Sequence, residues 1–206
     1  MLVDKSVRDL LAAFSSSDPT PGGGSASALA SAVGASLLMM VASLPKTRSG
    51  TEADRQALHN AGAALTPLRQ KLSDAIDADA KAYERVVAAY KLPKGTPAEQ
   101  QARKKAIQEA LKAATDVPLS VMRLSSQALA QGVAVATHGN QSAASDTGVG
   151  ATLLRAGAGG AFLNIETNLA GVGDDSYRDA TSKEIVTLTE AIERARAAIE
   201  QALGLT

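Results

Sequence analysis

The residue best suited to transfer a proton is Asp79, because it falls within an apolar stripe of helical spacing. The other members of this stripe are Leu72, Ile76, Tyr83, Val86 and Tyr90. A carboxylate at a core position is costly unless it is paired, hydrogen-bonded or protonated. Burial also raises its pKa toward the range useful for acid–base catalysis near neutral pH. The alternative is a structural carboxylate satisfied by Tyr83 or by a neighbouring helix. Asp77 lies on another face and is expected to be solvated or supportive.

A glycine run forms the second candidate, Pro21-Gly22-Gly23-Gly24-Ser25. Consecutive glycines before a helix let backbone N–H groups converge on an anion or on the electron-rich edge of a ligand. The run lacks the ending of a nucleotide-binding loop and the spacing of a dinucleotide fingerprint. A flexible tight turn is therefore the alternative, with Ser25 as the N-cap of the helix that follows.

The third candidate extends from Asn140 to Asn168. Asp146 lies at a predicted helix start, where an acidic residue often serves only as a cap. Small residues and two amides then recur at every fourth position: Gly148, Thr152, Ala156, Gly160, Asn164 and Asn168. Such a stripe predicts close helix packing, and its amides are suited either to bind a polar heterocycle or to bridge helices.

Several kinds of site and partner are disfavoured. The chain has no Cys, which excludes disulfides and thiolate ligands, and its two histidines, His59 and His138, have no partner at metal-ligand spacing. We therefore predict no metal site. The formal net charge of +0 argues against nucleic acid or an anionic membrane as the main partner.

Composition predicts an all-α fold. The 206 residues are 45% hydrophobic but only 2% aromatic, so the core is built from aliphatic residues and abundant Ala. We predict one domain, residues 1–206, forming a compact bundle of about six to seven helices, some long and kinked. The predicted segments are Val7 to Phe14, Ala26 to Leu44, Thr51 to Leu92 with a kink or break at Pro67, Thr96 to Thr137 with an interruption or kink at Thr115 to Pro118, Ser145 to Val172, and Tyr177 to Leu203. Thr96 and Glu99 predict a capping box at the start of the fourth segment.

One predicted segment, Ala26 to Leu44, is uncharged and long enough to span a membrane. Its serines and many small residues favour a buried bundle helix instead. The N-terminal segment carries charges at Asp4, Lys5, Arg8 and Asp9 and has no continuous apolar core. The sequence therefore predicts a soluble, cytoplasmic protein.

Five motifs in order along the chain resemble the formiminotetrahydrofolate cyclodeaminase and methenyltetrahydrofolate cyclohydrolase family. They are Thr20 to Ser25, Asp77 to Tyr83, Leu92 to Thr96, Val117 to Leu119, and Gly139-Asn140 to Asp146. The resemblance implies a helical homodimer that acts on folate-bound one-carbon units near the dimer interface. A tetrahydrofolate derivative would be the substrate, with no tightly bound cofactor. A formiminotransferase partner would be a separate protein.

The resemblance also assigns roles to residues. It implies that Asp79 is the catalytic acid or base, which agrees with the stripe in which that residue lies. It further implies that the backbone from Gly22, Gly23 and Gly24 to Ser25 lines the pocket, with Asp146 and Asn164 close to it. The remaining substrate-binding candidates come from the shared motifs: Tyr83, Lys94 and Asn140.

Two reactions of folate one-carbon metabolism fit the family. The sequence favours hydrolysis of 5,10-methenyltetrahydrofolate to 10-formyltetrahydrofolate, since the segment from Lys105 to Pro118 resembles the stand-alone cyclohydrolases. The alternative reaction is cyclodeamination of 5-formiminotetrahydrofolate with release of ammonia. A non-catalytic helical scaffold or folate-binding protein is a third interpretation. The anionic folate tail would need cations, and Lys46, Arg48 and Lys94 lie in loops that could supply them.

Overall fold

A computed structural model describes residues 1–205 of the chain, and these residues form six α-helices and two short 3-10 helices. The α-helices are α1 (Val7–Phe14), α2 (Gly23–Ala42), α3 (Glu52–Tyr90), α4 (Pro97–His138), α5 (Ala144–Leu169) and α6 (Asp175–Leu203). The 3-10 helices are Leu2–Asp4 and Gln141–Ala143. The predicted all-α bundle is confirmed. Thr206, the last residue of the predicted domain, lies outside the described residues.

The apolar helix α2 packs against α3, α4 and α5, while α6 packs on α4 and α5. It runs antiparallel to α3: its start at Ser25 contacts Ile76, and its end at Ala42 lies beside Gly62. The start of α2 therefore lies beside Ile76 within α3, and the C-terminal part of α3 continues beyond α2 to Tyr90.

Of the two N-caps that the sequence predicted, Thr96 and Ser25, the structure confirms only the first. The capping box of Thr96 and Glu99 is present as predicted. Ser25 is not an N-cap, because α2 begins earlier, with Gly22 in the cap position and no side-chain cap. The last helix also begins two residues before the predicted Tyr177, because the side chain of Asp174 caps it.

Neither proline inside a long helix interrupts it, since α3 continues through Pro67 and α4 through Pro118. Pro118 has no N–H to donate to the carbonyl of Ala114, four residues earlier. The Asn168 side chain of α5 fills this gap, with Nδ2 donating to the Ala114 oxygen at 2.8 Å. Asn168 therefore bridges two helices.

Glycines bring α5 against α2, and Gly160 of the predicted stripe is one of them, whereas Gly157 lies outside that stripe. A Cβ on Gly157 would lie 2.5 Å from the Ser27 carbonyl oxygen, and one on Gly160 would lie 2.3 Å from Ser27 Oγ. Thr152 and Ala156 of the predicted stripe are exposed. A spacing of four residues drifts around a helix of 3.6 residues per turn, so such a stripe does not stay on one face.

We expect Gly157→Ala to destabilise the fold by about 1–3 kcal/mol, as overpacking does. The added Cβ would lie 2.0 Å from Ser31 Oγ, so α2 and α5 must separate. Urea unfolding measures the effect. The matched control is Gly159→Ala, whose Cβ meets nothing within 4 Å and which should stabilise α5 by about 0.5–1 kcal/mol. Equal effects of the two substitutions would contradict the close approach.

One helix of the described chain, Gly23–Ala42, is long and apolar enough to cross a membrane by length and composition, with a mean hydropathy of 1.7. Half of that window is buried within the bundle. Its buried face carries the hydroxyls of Ser25, Ser27 and Ser31. The helix thus packs as a core helix of the bundle, as the sequence predicted.

Candidate functional site

The Asp79 carboxylate lies at the start of α2. The side chain of Ser25 donates to Asp79 Oδ2 at 3.2 Å, and the same hydroxyl lies 2.8 Å from the carbonyl oxygen of Ile76. Because Gly22 offers no side-chain cap, the first N–H groups of α2 lack partners of their own. A carboxylate from α3 therefore takes the place that a capping side chain usually fills.

Two opposing effects set the pKa of Asp79. Burial raises it, and hydrogen bonds from the hydroxyl and backbone N–H of Ser25 lower it by less, so the net pKa is above its usual value. The carboxyl is half-buried rather than sealed in the core. A carboxyl with these properties is suited to accept and return a proton near neutral pH.

Within the glycine run, position 24 requires glycine because the Asp79 carboxylate lies against it. A Cβ on Gly24 would lie 2.0 Å from Asp79 Oδ1 and 2.4 Å from its Cγ, so only glycine fits there. Asn164 reaches the same place from α5, since a Cβ on Gly23 would lie 3.5 Å from Asn164 Nδ2. The structure thus brings together Asp79, the segment from Gly22 to Ser25, and Asn164.

The apolar stripe around Asp79 is buried only in its first half. Leu72 and Ile76 are buried under α2, whereas Tyr83 is 43% exposed and Tyr90 is 52% exposed. The prediction that the whole stripe lies in the core is therefore wrong, because α2 begins opposite Asp79 and does not cover the later residues. Beyond the carboxylate, α3 presents two aromatic rings on the face that bears Asp79.

Asp77 is buried rather than solvated, and it holds the N-terminus of the chain. Its carboxylate accepts hydrogen bonds from the backbone N–H groups of Leu2 at 2.6 Å and Val3 at 3.4 Å. The two carboxylates of this motif thus face different neighbours, and Asp77 has a supportive role.

Two predicted site residues lie at the other end of the bundle. Asp146 is in the first turn of α5, and the 18 residues between it and Asn164 correspond to about 27 Å of helix. Asn140 accepts a hydrogen bond from the backbone of Ser142 and begins the short helix there. Within one chain, therefore, neither residue belongs to the Asp79 site, because a continuous helix keeps its two ends apart.

Lys94 lies in the turn between α3 and α4, beside a groove of about 260 Å³. The groove is lined by Lys94, Gln100, Arg103, Lys104, Ile107 and Gln108. The guanidinium of Arg103 donates to the Tyr90 carbonyl oxygen and lies 5.6 Å from the centre of the Tyr90 ring. No motif in the sequence links Arg103 and Lys104 to Lys94, and the groove brings the three together.

Arg48, one of the loop cations considered for an anionic tail, has a structural role instead. Its side chain donates to the carbonyl oxygens of Ala136 and Ala202, near the ends of α4 and α6. A loop arginine is well suited to bind the unpaired carbonyls at helix C-termini. Lys46, two residues earlier, is exposed.

Asp54, in the first turn of α3, accepts a hydrogen bond from this same loop. The hydrogen bond with His138 and the backbone N–H of Ser49 lower the pKa of Asp54 to about 2. This pairing joins the end of α4 to the start of α3. Between residues 1 and 205, no group of three or more His, Asp or Glu side chains is arranged to hold a metal ion.

Comparisons with known proteins agree on one family. The family model described as formiminotransferase-cyclodeaminase matches residues 6–187. A methenyltetrahydrofolate cyclohydrolase of Methylorubrum extorquens is 38% identical over 189 residues, which are 90% of this chain and 89% of that protein. A formimidoyltransferase-cyclodeaminase of Gallus gallus is 31% identical over 96% of this chain but only 37% of that longer protein.

A solved structure agrees as well. The crystal structure of formiminotetrahydrofolate cyclodeaminase from Thermotoga maritima matches with a TM-score of 0.88 and 27% identity. The match covers 99% of this chain and 98% of that one. Both chains thus share the whole helical architecture, including the helices that carry the candidate site.

Proposed function

Since the chain belongs to the formiminotransferase-cyclodeaminase family, we propose that it is a methenyltetrahydrofolate cyclohydrolase of folate one-carbon metabolism, with Asp79 as the acid–base catalyst. The observation that carries the proposal is the half-buried Asp79 carboxylate at the uncapped start of α2. The full-length similarity to the Methylorubrum cyclohydrolase supports this reaction over the alternatives.

The proposed hydrolysis has two steps. Water attacks the electrophilic carbon between N5 and N10 of 5,10-methenyltetrahydrofolate, and the Asp79 carboxylate accepts a proton from it, which leaves a neutral hydroxyl adduct. The bond from that carbon to N5 then breaks as Asp79 returns its proton to N5. The adduct hydroxyl releases its proton to solvent and becomes the carbonyl of 10-formyltetrahydrofolate. A positioned acid or base of this kind contributes about 10²–10⁴-fold to the rate.

Cyclodeamination is the second candidate, and the likeness to the Thermotoga structure favours it. In that reaction N10 attacks the formimino carbon of 5-formiminotetrahydrofolate, and the proton of N10 passes to the imino nitrogen. This nitrogen then leaves as ammonia with a second proton supplied by Asp79. The methenyl compound is then the product. The same carboxylate, with its raised pKa, serves both reactions.

The deciding experiment presents each substrate separately and follows the near-ultraviolet absorbance of the methenyl species. Loss of the methenyl signal faster than spontaneous hydrolysis supports the cyclohydrolase. Appearance of that signal together with ammonia from the formimino compound supports the cyclodeaminase. No enzymatic change with either substrate would contradict both and leave the scaffold or folate-binding interpretation.

Ser25 should tune the pH dependence of the reaction. Its hydrogen bonds lower the pKa of Asp79, so Ser25→Ala should raise that pKa further. Because the proposed attack needs the ionised carboxylate, the acid limb of the kcat/KM profile should move to higher pH. Ser36→Ala is the matched control, since Ser36 is on the same helix but donates only to the Ala32 carbonyl oxygen. If the acid limb of the kcat/KM profile stays at the same pH in Ser25→Ala, Ser25 does not affect the titration of Asp79.

We also propose how the rest of the substrate binds. The exposed face of α3 after Asp79 offers the rings of Tyr83 and Tyr90 to the flat portions of the folate, and Asn164 offers an amide to its heterocycle. From Asp79 to Tyr90 the helix advances about 16 Å. The groove beside Tyr90, with Lys94, Arg103 and Lys104, is then the site for the anionic glutamate tail.

Charge reversal at Lys94 tests the tail site. Lys94→Glu should raise the KM for a polyglutamylated substrate about threefold to fivefold, because an exposed ion contact contributes up to about 1 kcal/mol. The KM for the monoglutamate should change less. Lys105→Glu is the control, since Lys105 is exposed on α4 next to Lys104 but lies outside the groove. Equal changes in KM for both substrates would mean that Lys94 does not bind the glutamate tail.

The protein is further proposed to act as a homodimer. Helix α2 has no charged residue, and its outer face joins the outer face of α5 in one uncharged surface. The exposed apolar side chains of this α2–α5 face are Val33, Met40, Val149 and Leu163. Sedimentation at several concentrations tests the dimer. A two-fold axis across this face would set the Asp146 end of one copy beside the Asp79 end of the other.

Other parts of the proposal follow from the chemistry. Water and the folate supply every atom of the hydrolysis, so no tightly bound cofactor is needed. The animal relatives combine formimidoyltransferase and cyclodeaminase in one protein, and this chain corresponds to about a third of their length. For the cyclodeaminase alternative, the proposed partner is a separate formiminotransferase that supplies 5-formiminotetrahydrofolate. A cytoplasmic location fits a reaction on soluble folates.

A further inference from the structure

The Ser25 hydroxyl has two acceptors within reach but only one proton to donate. Its Oγ lies 2.8 Å from the carbonyl oxygen of Ile76 and 3.2 Å from Asp79 Oδ2. The first distance is an ordinary hydrogen-bond length, and the second is slightly long. A serine hydroxyl carries a single O–H together with two acceptor lone pairs. At any moment, therefore, one of the two oxygens receives the proton of Ser25 and the other does not.

The burial of Ser25 makes the choice between these acceptors important. The residue is 0% exposed, so bulk water does not reach its hydroxyl. A buried donor that lacks an acceptor is costly, and buried hydroxyls are almost always hydrogen-bonded. The hydroxyl of Ser25 therefore needs an acceptor in each protonation state of Asp79.

The charge on Asp79 decides which acceptor is preferred. A hydrogen bond to an ionised carboxylate is about twice as strong as one between neutral groups, so ionised Asp79 attracts the Ser25 proton in spite of the longer distance. Once Asp79 is protonated, that advantage is lost, and the shorter contact with the Ile76 oxygen is preferred. If the acquired proton lies on Oδ2, it is donated to Ser25 Oγ, and the Ser25 proton again goes to Ile76.

Within residues 1–205, Asp79 is the one charged side chain that forms a hydrogen bond with the Ser25 hydroxyl. Helix α2 has no charged residue, and the α5 side chain at its first turn is an amide. On α3, Asp77 and Lys81 line a separate groove beside the N-terminal segment, and the Tyr83 phenol lies one turn beyond Asp79. Ionisation of Asp79 is therefore the event that can turn the hydroxyl.

We infer that Ser25 is a positioning residue whose hydroxyl turns from Asp79 to the Ile76 carbonyl when the carboxyl accepts a proton, and turns back when it releases that proton. This movement is called the hydroxyl switch. It keeps the buried hydroxyl paired in both halves of a proton-transfer cycle, which lowers the cost of each half. The switch itself needs only the two acceptors, whereas its use in catalysis rests on the proposed function.

Carbon-13 NMR of the free protein tests the hydroxyl switch without substrate. We expect the Ile76 carbonyl resonance to move with the same midpoint pH as the Asp79 carboxyl, because the carbonyl gains a hydrogen bond as Asp79 is protonated. In Ser25→Ala the carboxyl still titrates, but most of the Ile76 movement should be lost. The Ala32 carbonyl, which accepts from Ser36 on the same helix, is the control and should not follow Asp79.

Two NMR results would overturn the hydroxyl switch. A constant Ile76 resonance in the unsubstituted protein would mean that the hydroxyl does not turn. Equal movement of that resonance in Ser25→Ala would mean that the carbonyl responds only to the nearby charge.

Turnover tests the catalytic use of the switch separately. At a pH above the acid limb, Ser25→Ala should lower kcat about tenfold, the size expected when one hydrogen bond is lost, with little change in KM. An unchanged kcat would overturn the catalytic use. Absence of turnover in the unsubstituted protein would contradict the proposed function instead, and the NMR result would still decide whether the hydroxyl turns.

Discussion

Asp79→Asn is expected to lower kcat/KM by about 10²–10⁴-fold, the range of a positioned acid or base, while the chain remains folded. The amide keeps the shape of the side chain but cannot accept a proton from water or return one to N5. The decrease is measured from the absorbance of the methenyl species with a saturating and a limiting substrate concentration.

The same substitution should leave the fold as stable as before, or more stable at neutral pH. The pKa of Asp79 is raised in the folded state, so the folded chain binds this proton more tightly than the unfolded chain. The free energy of unfolding therefore falls as the pH rises through the pKa of the Asp79 carboxyl. Asparagine does not ionise, so the variant does not lose this stability at higher pH. Urea unfolding at neutral pH and near pH 4 would show the difference.

Asp77→Asn provides a matched control on the same helix. The Asp77 carboxylate accepts from the Leu2 and Val3 backbone and lies outside the proposed chemistry. Its substitution should reduce stability by up to about 1.5–3 kcal/mol, the range of hydrogen bonds to a charged group, and leave most of the turnover. Full activity in Asp79→Asn would contradict the assignment, as would equal losses in both variants.

Local signals in the sequence predicted much of the fold. The capping box at Thr96 and the bounds Val7–Phe14 are as predicted, because caps and helical spacing act over a few residues. The exposure of Tyr83 and Tyr90 could not be predicted in that way. Spacing indicates which residues share a face, but burial of that face depends on where α2 begins, and α2 begins opposite Asp79.

The candidate site, too, could be predicted from the sequence only where a local signal marks the residue. Asp79 was identifiable because a carboxylate in an apolar stripe conflicts with its surroundings, and such conflicts concentrate at functional sites. The contact of Arg103 with Tyr90 joins α3 and α4 across their turn, and that of Asn168 with Ala114 joins α5 and α4. No local pattern marks either contact. The separation of Asp146 from Asn164 follows from α5 being continuous, once its bounds are known.

Gly24→Ala is expected to reduce kcat/KM nearly as much as Asp79→Asn, although it removes no chemical group. Its Cβ would lie within 2.0 to 2.6 Å of all three heavy atoms of the Asp79 carboxylate, which must therefore move away. The displaced carboxylate loses its hydrogen bond from Ser25 and its position at the start of α2. A shift of this size at a catalytic group costs about 10²-fold in rate.

The neighbouring glycine supplies the control. A Cβ on Gly23 would meet Asn164 Nδ2 at 3.5 Å, an ordinary contact, so Gly23→Ala should keep most of the activity. Alanine also has the higher helix propensity, by about 0.8–1.0 kcal/mol, so a loss of activity in Gly24→Ala is not expected to come from unfolding of α2. Adding Gly24→Ala to Asp79→Asn should cost little more activity than Asp79→Asn alone, because both substitutions remove the same function. Fully additive losses would mean that Gly24 acts on the substrate directly rather than by seating the carboxylate.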